Sequence, residues 1–143
     1  MIIRGRFIGG APYFALYLRS AHFQGQVWML ADTGASRTLL LDRDLRSLNI
    51  PTIALEPTSL AIVGIGGSVR SFVVRGVDVI SATDEGYESL PGQDVWAVQH
   101  DLDRLPPDEA SRILRLPSVL GRDVLNRFCF TCDYRTGIVQ LER

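Results

Sequence analysis

Apolar and polar residues alternate over short stretches of the chain, which is the pattern of β-strands with one buried face. Glycine, proline and acidic residues separate these stretches. The predicted strands are residues 13–19, 26–31, 38–41, 59–63, 68–74, 77–81, 94–99, 128–134 and 138–142. The first of them is apolar at nearly every position, so we expect both of its faces to be buried.

Three further segments have the features of short helices. Residues 42–48 begin with Asp, residues 106–115 carry Pro and acids in front and Arg behind, and residues 121–127 open with Gly. Residues 82–93 are acidic and contain Gly and Pro, which predicts an exposed loop. The pattern therefore predicts an all-β fold, a small closed barrel with two or three short helices.

Length and composition limit the class of protein. The chain has 143 residues, of which 46% are hydrophobic, so we expect a single domain spanning 1–143 with a packed core. Its net charge of -1 gives no electrostatic reason to expect nucleic acid as a partner. The N-terminus lacks the apolar core of a secretory signal, and no apolar stretch reaches the ~20 residues of a membrane helix. We therefore expect a cytoplasmic protein that does not associate with membranes.

The segment with the clearest chemical content is Ala-Asp-Thr-Gly-Ala-Ser, residues 31–36. Apolar residues on both sides should hold this turn against a core, where a carboxylate must find partners or share a proton. Asp32 is therefore the first candidate for catalysis. Asp-Thr-Gly is also an ordinary turn sequence, because Asp bonds to its own backbone and Gly accepts unusual dihedral angles.

Two later segments favour a catalytic Asp32 over an ordinary turn. Gly64, Ile65, Gly66 and Gly67 lie between two predicted strands, which indicates a hairpin with a glycine-rich tip. Residues 118–125 read Ser-Val-Leu-Gly-Arg-Asp-Val-Leu, in which Gly121, Arg122 and Asp123 open a predicted helix. Taken alone, the first could be a plain hairpin turn and the second a common helix opening.

The three segments, in this order, resemble the retropepsin-like aspartic proteases, which include the retroviral proteases. The resemblance implies that Asp32 is the catalytic carboxylate, supported by Thr33, which would bond across a dimer, and by Gly34. It implies a flap that covers the substrate, formed by Gly64, Ile65, Gly66 and Gly67. Ala35, Ser36 and Arg37 would line the cleft, with Leu39 and Leu40 as apolar walls and Arg37 favouring an acidic substrate side chain. Gly121, Arg122 and Asp123 would open the helix of the fold.

Hydrolysis of a peptide by carboxylates requires two of them, one to take a proton from water and one to polarise the scissile carbonyl. This chain has a single Asp-Thr-Gly, whereas a pepsin-like enzyme has two. The second carboxylate must therefore come from another copy, and we expect a homodimer with Asp32 of each chain at the twofold axis. The substrate would be a peptide or protein. No cofactor and no metal are expected, because the nucleophile is water.

The chain departs from the family pattern at several positions. Ala35 stands where pepsin-like enzymes carry Ser, so the carboxylate loses one donor and we expect activity at weakly rather than strongly acidic pH. Ser36 stands where retroviral proteases have an Asp that pairs with the helix Arg. Arg122 is therefore left to find Asp123, Asp133 or a substrate group. The stretch 82–117 is longer than in retroviral enzymes.

Two other interpretations remain open at this stage. The chain could be a non-catalytic module of the same fold that binds peptides or dimerises. It could also be a precursor that needs a partner chain or removal of residues 1–10, which would then occupy the cleft or the interface. Cys129 and Cys132 are expected to be structural thiols, and His22 and His100 to be surface or rim residues.

Overall fold

The computed structural model describes residues 1–58 and 69–143, and just over half of these lie in strands. The strands are β1 (Ile2–Arg4), β2 (Arg6–Ile8), β3 (Ala11–Arg19), β4 (Gln24–Ala31), β5 (Leu39–Leu40), β6 (Glu56–Thr58), β7 (Val69–Thr83), β8 (Gly86–His100), β9 (Val119–Leu120), β10 (Cys129–Asp133) and β11 (Ile138–Glu142). The helices are α1 (Asp42–Ser47), α2 (Pro107–Ile113) and α3 (Arg122–Leu125), and 3-10 turns lie at Thr52–Ala54 and Leu102–Arg104. All three predicted helices are confirmed.

Most strands belong to one sheet that closes into a ring. Its order is β2-β3-β4-β9-β5-β8-β7-β6, and β3 also pairs with β7, which joins the two sides. The pairs β4–β9 and β5–β8 are parallel, whereas the other pairs are antiparallel. The prediction of an all-β fold with two or three short helices is confirmed.

The chain ends form a second, three-stranded sheet in the order β1-β11-β10. Ile3 of β1 is only 3% exposed, and its strand pairs with β11 from Ile2 to Arg4. The following strand, β2, pairs with β3. The N-terminal segment is therefore part of both sheets, and removing residues 1–10 would break their backbone pairing and expose core surface.

The core follows the alternation read from the sequence. In β3, Phe14, Leu16 and Leu18 are buried, and they contact a hydrophobic cluster that includes residues of β4, β7 and β8. The opposite face of β3 is less buried than expected, because Tyr17 is 39% exposed. The prediction that both faces of this strand are buried is therefore wrong.

The predicted loop at 82–93 is also wrong. Residues 69–83 and 86–100 form one long hairpin, β7–β8, in which Thr83 pairs with Gly86 and Val79 with Leu90. The segment is polar because it forms the exposed end of a hairpin. It is nevertheless a strand, because its backbone pairs with β7, and local composition does not show that pairing. The stretch 94–99, predicted as a separate strand, is the second half of β8.

Within the described ranges, which omit residues 59–68, no helix is long and apolar enough to span a membrane. The predicted strand at 59–63 and the four predicted flap residues, Gly64, Ile65, Gly66 and Gly67, lie outside the described residues.

Candidate functional site

Asp32 lies directly after β4, at the point of the ring where short strands meet. β9 runs parallel to the end of β4, and the Asp32 N–H extends this pairing by donating to the Leu120 carbonyl at 3.1 Å. β9 also pairs with β5, which begins after the turn. The strands on both sides of the turn are thus tied to β9, and the half-buried Asp32 is held at a fixed place.

The carboxylate of Asp32 is engaged with its own turn. Its Oδ1 accepts the Gly34 N–H at 2.8 Å, and its backbone carbonyl accepts the Ala35 N–H at 3.2 Å. A Cβ at position 34 would lie 3.1 Å from Oδ1, so a glycine lets the amide approach the carboxylate this closely. Among the described residues, only Oδ1 of this carboxylate takes part in a hydrogen bond, which leaves Oδ2 available to a ligand.

The helix α3 braces the turn from behind through Arg122. Its backbone N–H donates to the Ala35 carbonyl at 2.8 Å, and its guanidinium Nη1 donates to the Thr33 carbonyl at 2.9 Å. The sequence suggested Asp123, Asp133 or a substrate group as partners of Arg122. The structure instead assigns it a backbone carbonyl, because Ser36 offers no carboxylate and the Thr33 carbonyl points to α3.

Gly121 brings the helix into contact with the chain that follows the turn. A Cβ at this position would lie 2.4 Å from the carbonyl carbon and oxygen of Arg37, a distance that real side chains do not reach. Only glycine therefore allows α3 to approach this closely. The three predicted motif residues, Gly121, Arg122 and Asp123, all contact the segment from Thr33 to Thr38.

Hydrogen bonds between the buried Thr38 and the half-buried Asp123, which the sequence did not reveal, also hold α3 against this segment. Thr38, 1% exposed, donates its N–H to Asp123 Oδ2 at 3.0 Å and its hydroxyl to Oδ1 at 2.7 Å. The same hydroxyl accepts the Gly121 N–H at 3.1 Å. Thr38 and Asp123 are far apart in sequence, so their spacing gives no signal. The signal that the sequence does offer is a Thr after the turn and an Asp at the start of the helix.

A second buried cluster supports β5 and α1. The Ser118 hydroxyl donates to Asp44 and accepts the Leu41 N–H at 3.0 Å. Arg43 donates to both oxygens of Asp44 and to the Trp28 carbonyl. The partners of this carboxylate are therefore complete, which fits a structural role for Asp44.

The predicted cleft residues divide into exposed and buried ones. Ser36 and Arg37 are exposed and Ala35 is half-buried, so all three can meet a ligand. Leu40 is 0% exposed and belongs to the core, so its predicted role as a pocket wall is wrong, whereas Leu39 is half-buried.

Arg37 extends over Trp96 of β8, with its guanidinium carbon 4.4 Å from the ring centroid. Trp96 lies beside the turn because its strand pairs with β5, where Leu39 is opposite Trp96. These two side chains border a pocket of about 280 Å³. Its lining is Arg37, Gly92, Gln93, Asp94, Trp96, Asp123 and Arg127.

The predicted position of one histidine is wrong. His100 is buried, and its ring Nδ1 lies 2.6 Å from Asp42 Oδ2, while its backbone N–H donates to Oδ1 at 2.8 Å. His22 is exposed, as expected. Cys129 and Cys132 are free thiols of β10. Residues 1–58 and 69–143 contain no group of three or more His, Cys, Asp or Glu side chains placed to hold a metal ion.

Comparison with known proteins gives a match only at the level of structure. No family model matches the chain, and no curated protein does. A retropepsin-like aspartic protease from Rickettsia conorii superposes with a TM-score of 0.60 at 20% identity, covering 99% of this chain and 88% of that one.

Two further structures are similar to a lesser degree. The EIAV protease complexed with the inhibitor HBY-793 gives a TM-score of 0.49 at 17% identity, with 84% and 89% of the two chains covered. The retroviral protease-like domain of Ddi1 from Leishmania major gives 0.49 at 13% identity, with 90% and 93% covered. The Rickettsia conorii match shows that the chain has the retropepsin-like fold, as the resemblance in the sequence predicted.

Proposed function

We propose that the protein is an aspartic endopeptidase in which Asp32 of two identical chains activates a water molecule. The observation that carries the proposal is the Asp32 turn, which is fixed by hydrogen bonds to β9 and to Arg122 of α3. This arrangement fixes a carboxylate while leaving Oδ2 without a partner among the described residues. A rigid carboxylate with one free oxygen is suited to accept a proton from water.

The homodimer follows from the chemistry, since one chain supplies one such carboxylate. In a twofold dimer the two Asp32 side chains would share a proton, and the protonated one would polarise the scissile carbonyl. Thr33 and Gly34 would support the dyad, Thr33 by bonding to the partner turn and Gly34 through its amide. Ala35, Ser36 and Arg37 would border the bound peptide, and Gly64, Ile65, Gly66 and Gly67 would cover it.

The first test is cleavage of a mixed peptide library between pH 4 and 7 by the native protein and by Asp32→Asn. We expect the native protein to cut and the variant to lose activity on the order of 10³-fold, because an amide cannot act as the base. The variant must keep the native unfolding temperature, which shows that the turn is intact. Cuts by both proteins would place the catalytic group elsewhere, and no cuts by a folded native protein would favour the peptide-binding module.

The shared site has a separate test. Native protein is mixed with increasing amounts of Asp32→Asn at constant total concentration, and the chains are allowed to exchange. If the site needs both carboxylates, activity falls with the square of the native fraction, because mixed dimers are inactive. A linear decrease would mean that each chain acts alone and would contradict the dimeric dyad.

A further inference from the structure

In the pocket next to the Asp32 turn, the acids have hydrogen-bond partners whereas the arginines form no ion pair with the described residues. Four of its lining residues are charged, two arginines and two aspartates. Asp123 is already engaged by the Thr38 N–H and hydroxyl and by the Val124 N–H. Asp94 accepts from Arg75 at 3.1 Å. Both acids are therefore occupied.

The two arginines of this pocket have no such partners. Neither Arg37 nor Arg127 forms an ion pair with a carboxylate in residues 1–58 and 69–143. The sequence from 59 to 68 contains no Asp or Glu, so that segment holds no carboxylate either. Two arginines thus line one pocket without an ion pair to a carboxylate of their own chain.

The geometry of Arg37 suits it to bind a carboxylate. Its guanidinium is stacked over Trp96 at 4.4 Å, an interaction that orients the planar group and leaves its edge N–H groups free. An oriented guanidinium can bind a carboxylate through two parallel hydrogen bonds. Arg127 adds a second positive charge on the wall of the same pocket.

The pocket is also within reach of a peptide bound at Asp32. Arg37 lies five positions after Asp32 in the chain, which limits their Cα separation to at most about 18 Å. Four residues of extended peptide cover about 13 Å on each side of a cut, and the Arg and Glu side chains cover the rest. A substrate residue within four positions of the cut can therefore reach this pocket.

We propose that the pocket formed by Arg37, Trp96 and Arg127 is a subsite that selects an acidic residue of the peptide substrate. The inference rests on the proposed peptidase function. In the homodimer the pocket occurs twice, at twofold-related places, so the preference for Asp or Glu applies at corresponding positions on both sides of the cut.

The test uses one cleaved peptide and varies a single position at a time, up to four residues on either side of the cut. For each position, one version of the peptide carries Glu and the other carries Gln. We expect the Glu version to be cut with a kcat/KM about tenfold higher at one position on each side. Arg37→Gln and Arg127→Gln should reduce that ratio toward one, and added salt should weaken it. The control is Arg112→Gln, which removes an exposed arginine of α2 outside the pocket and should leave the ratio unchanged.

Binding of the same peptides to Asp32→Asn, measured by calorimetry, separates this inference from the peptidase proposal. Tighter binding of the Glu version, lost in Asp32→Asn combined with Arg37→Gln, supports the acidic subsite even if no peptide is cut. Equal cleavage of the Glu and Gln versions by an active enzyme overturns the subsite and leaves the peptidase intact. Equal binding without cleavage, or no binding at all, overturns the subsite as well.

Discussion

At the scale of single residues, Thr38 supports the candidate site through two hydrogen bonds of its hydroxyl to α3 and the residue before it. It lies beyond the Asp32 turn, and its hydroxyl donates to Asp123 while accepting the Gly121 N–H. Since Thr38 is 1% exposed, water has little access to its hydroxyl. The hydroxyl thus links the chain after the Asp32 turn to α3.

We predict that Thr38→Val lowers the free energy of unfolding by about 1–3 kcal/mol, because it leaves a buried amide and a carboxylate oxygen without this partner. Urea unfolding measures the loss. Thr131→Val, the same change at a half-buried position of β10, is the control and should change stability little. Equal losses in the two variants would show that the Thr38 hydroxyl has no special role.

At the scale of elements, α3 and the Asp32 turn behave as one packed unit. Arg122 donates to two carbonyls of the turn, and Gly121 lies against the backbone of Arg37. The helix has only four residues, so its own hydrogen bonds contribute little to its stability. Contact with the turn holds the helix in place, and the helix in return fixes the turn.

We predict that Gly121→Ala destabilises the protein by about 1–3 kcal/mol, because the new Cβ meets rigid backbone and forces α3 away from Arg37. Hydrogen exchange should then become faster at the Arg122 amide, which bonds to Ala35. Gly25→Ala is a suitable comparison, because its Cβ would meet only the movable end of the Leu48 side chain. An Arg122 amide with unchanged protection would contradict the proposed coupling.

At the scale of the whole molecule, several surface carboxylates favour the folded state at neutral pH. The Arg75 guanidinium, through a hydrogen bond and its charge, holds the pKa of Glu56 below its ordinary value. A hydrogen bond from Arg19 lowers the pKa of Asp78, and the Ile2 N–H lowers that of Asp84. Each of these carboxylates joins strands or chain ends that are distant in sequence.

A carboxylate whose pKa is lower in the folded state stabilises the fold above its unfolded pKa, near pH 4, and ceases to do so as pH falls through the folded value. We therefore predict that the unfolding temperature is nearly constant between pH 5 and 7 and decreases below about pH 4. Glu56→Gln should reduce this decrease. Glu109→Gln, at an exposed carboxylate of α2, serves as the control, and identical pH profiles for both variants would refute the role of Glu56.

The fold class, the three helices and the turn at Asp32 could be predicted from the sequence, because each has a local pattern of residue types. It did not reveal contacts between distant segments. Thr38 and Asp123 are 85 positions apart, and Asp42 and His100 are 58 apart. The long β7–β8 hairpin was missed for the same reason, since its polar end is a strand only through pairing with β7.

The stacking of Arg37 on Trp96 also has a spectroscopic consequence. The chain has two tryptophans, and each has an arginine over its ring, Arg6 over Trp28 at 4.2 Å and Arg37 over Trp96 at 4.4 Å. A Trp28→Phe variant would leave Trp96 as the single indole, so tryptophan emission would come from the wall of the pocket alone. The molecule therefore carries its own fluorophore under the guanidinium that a carboxylate ligand would bind, and occupancy can be followed without attaching a dye.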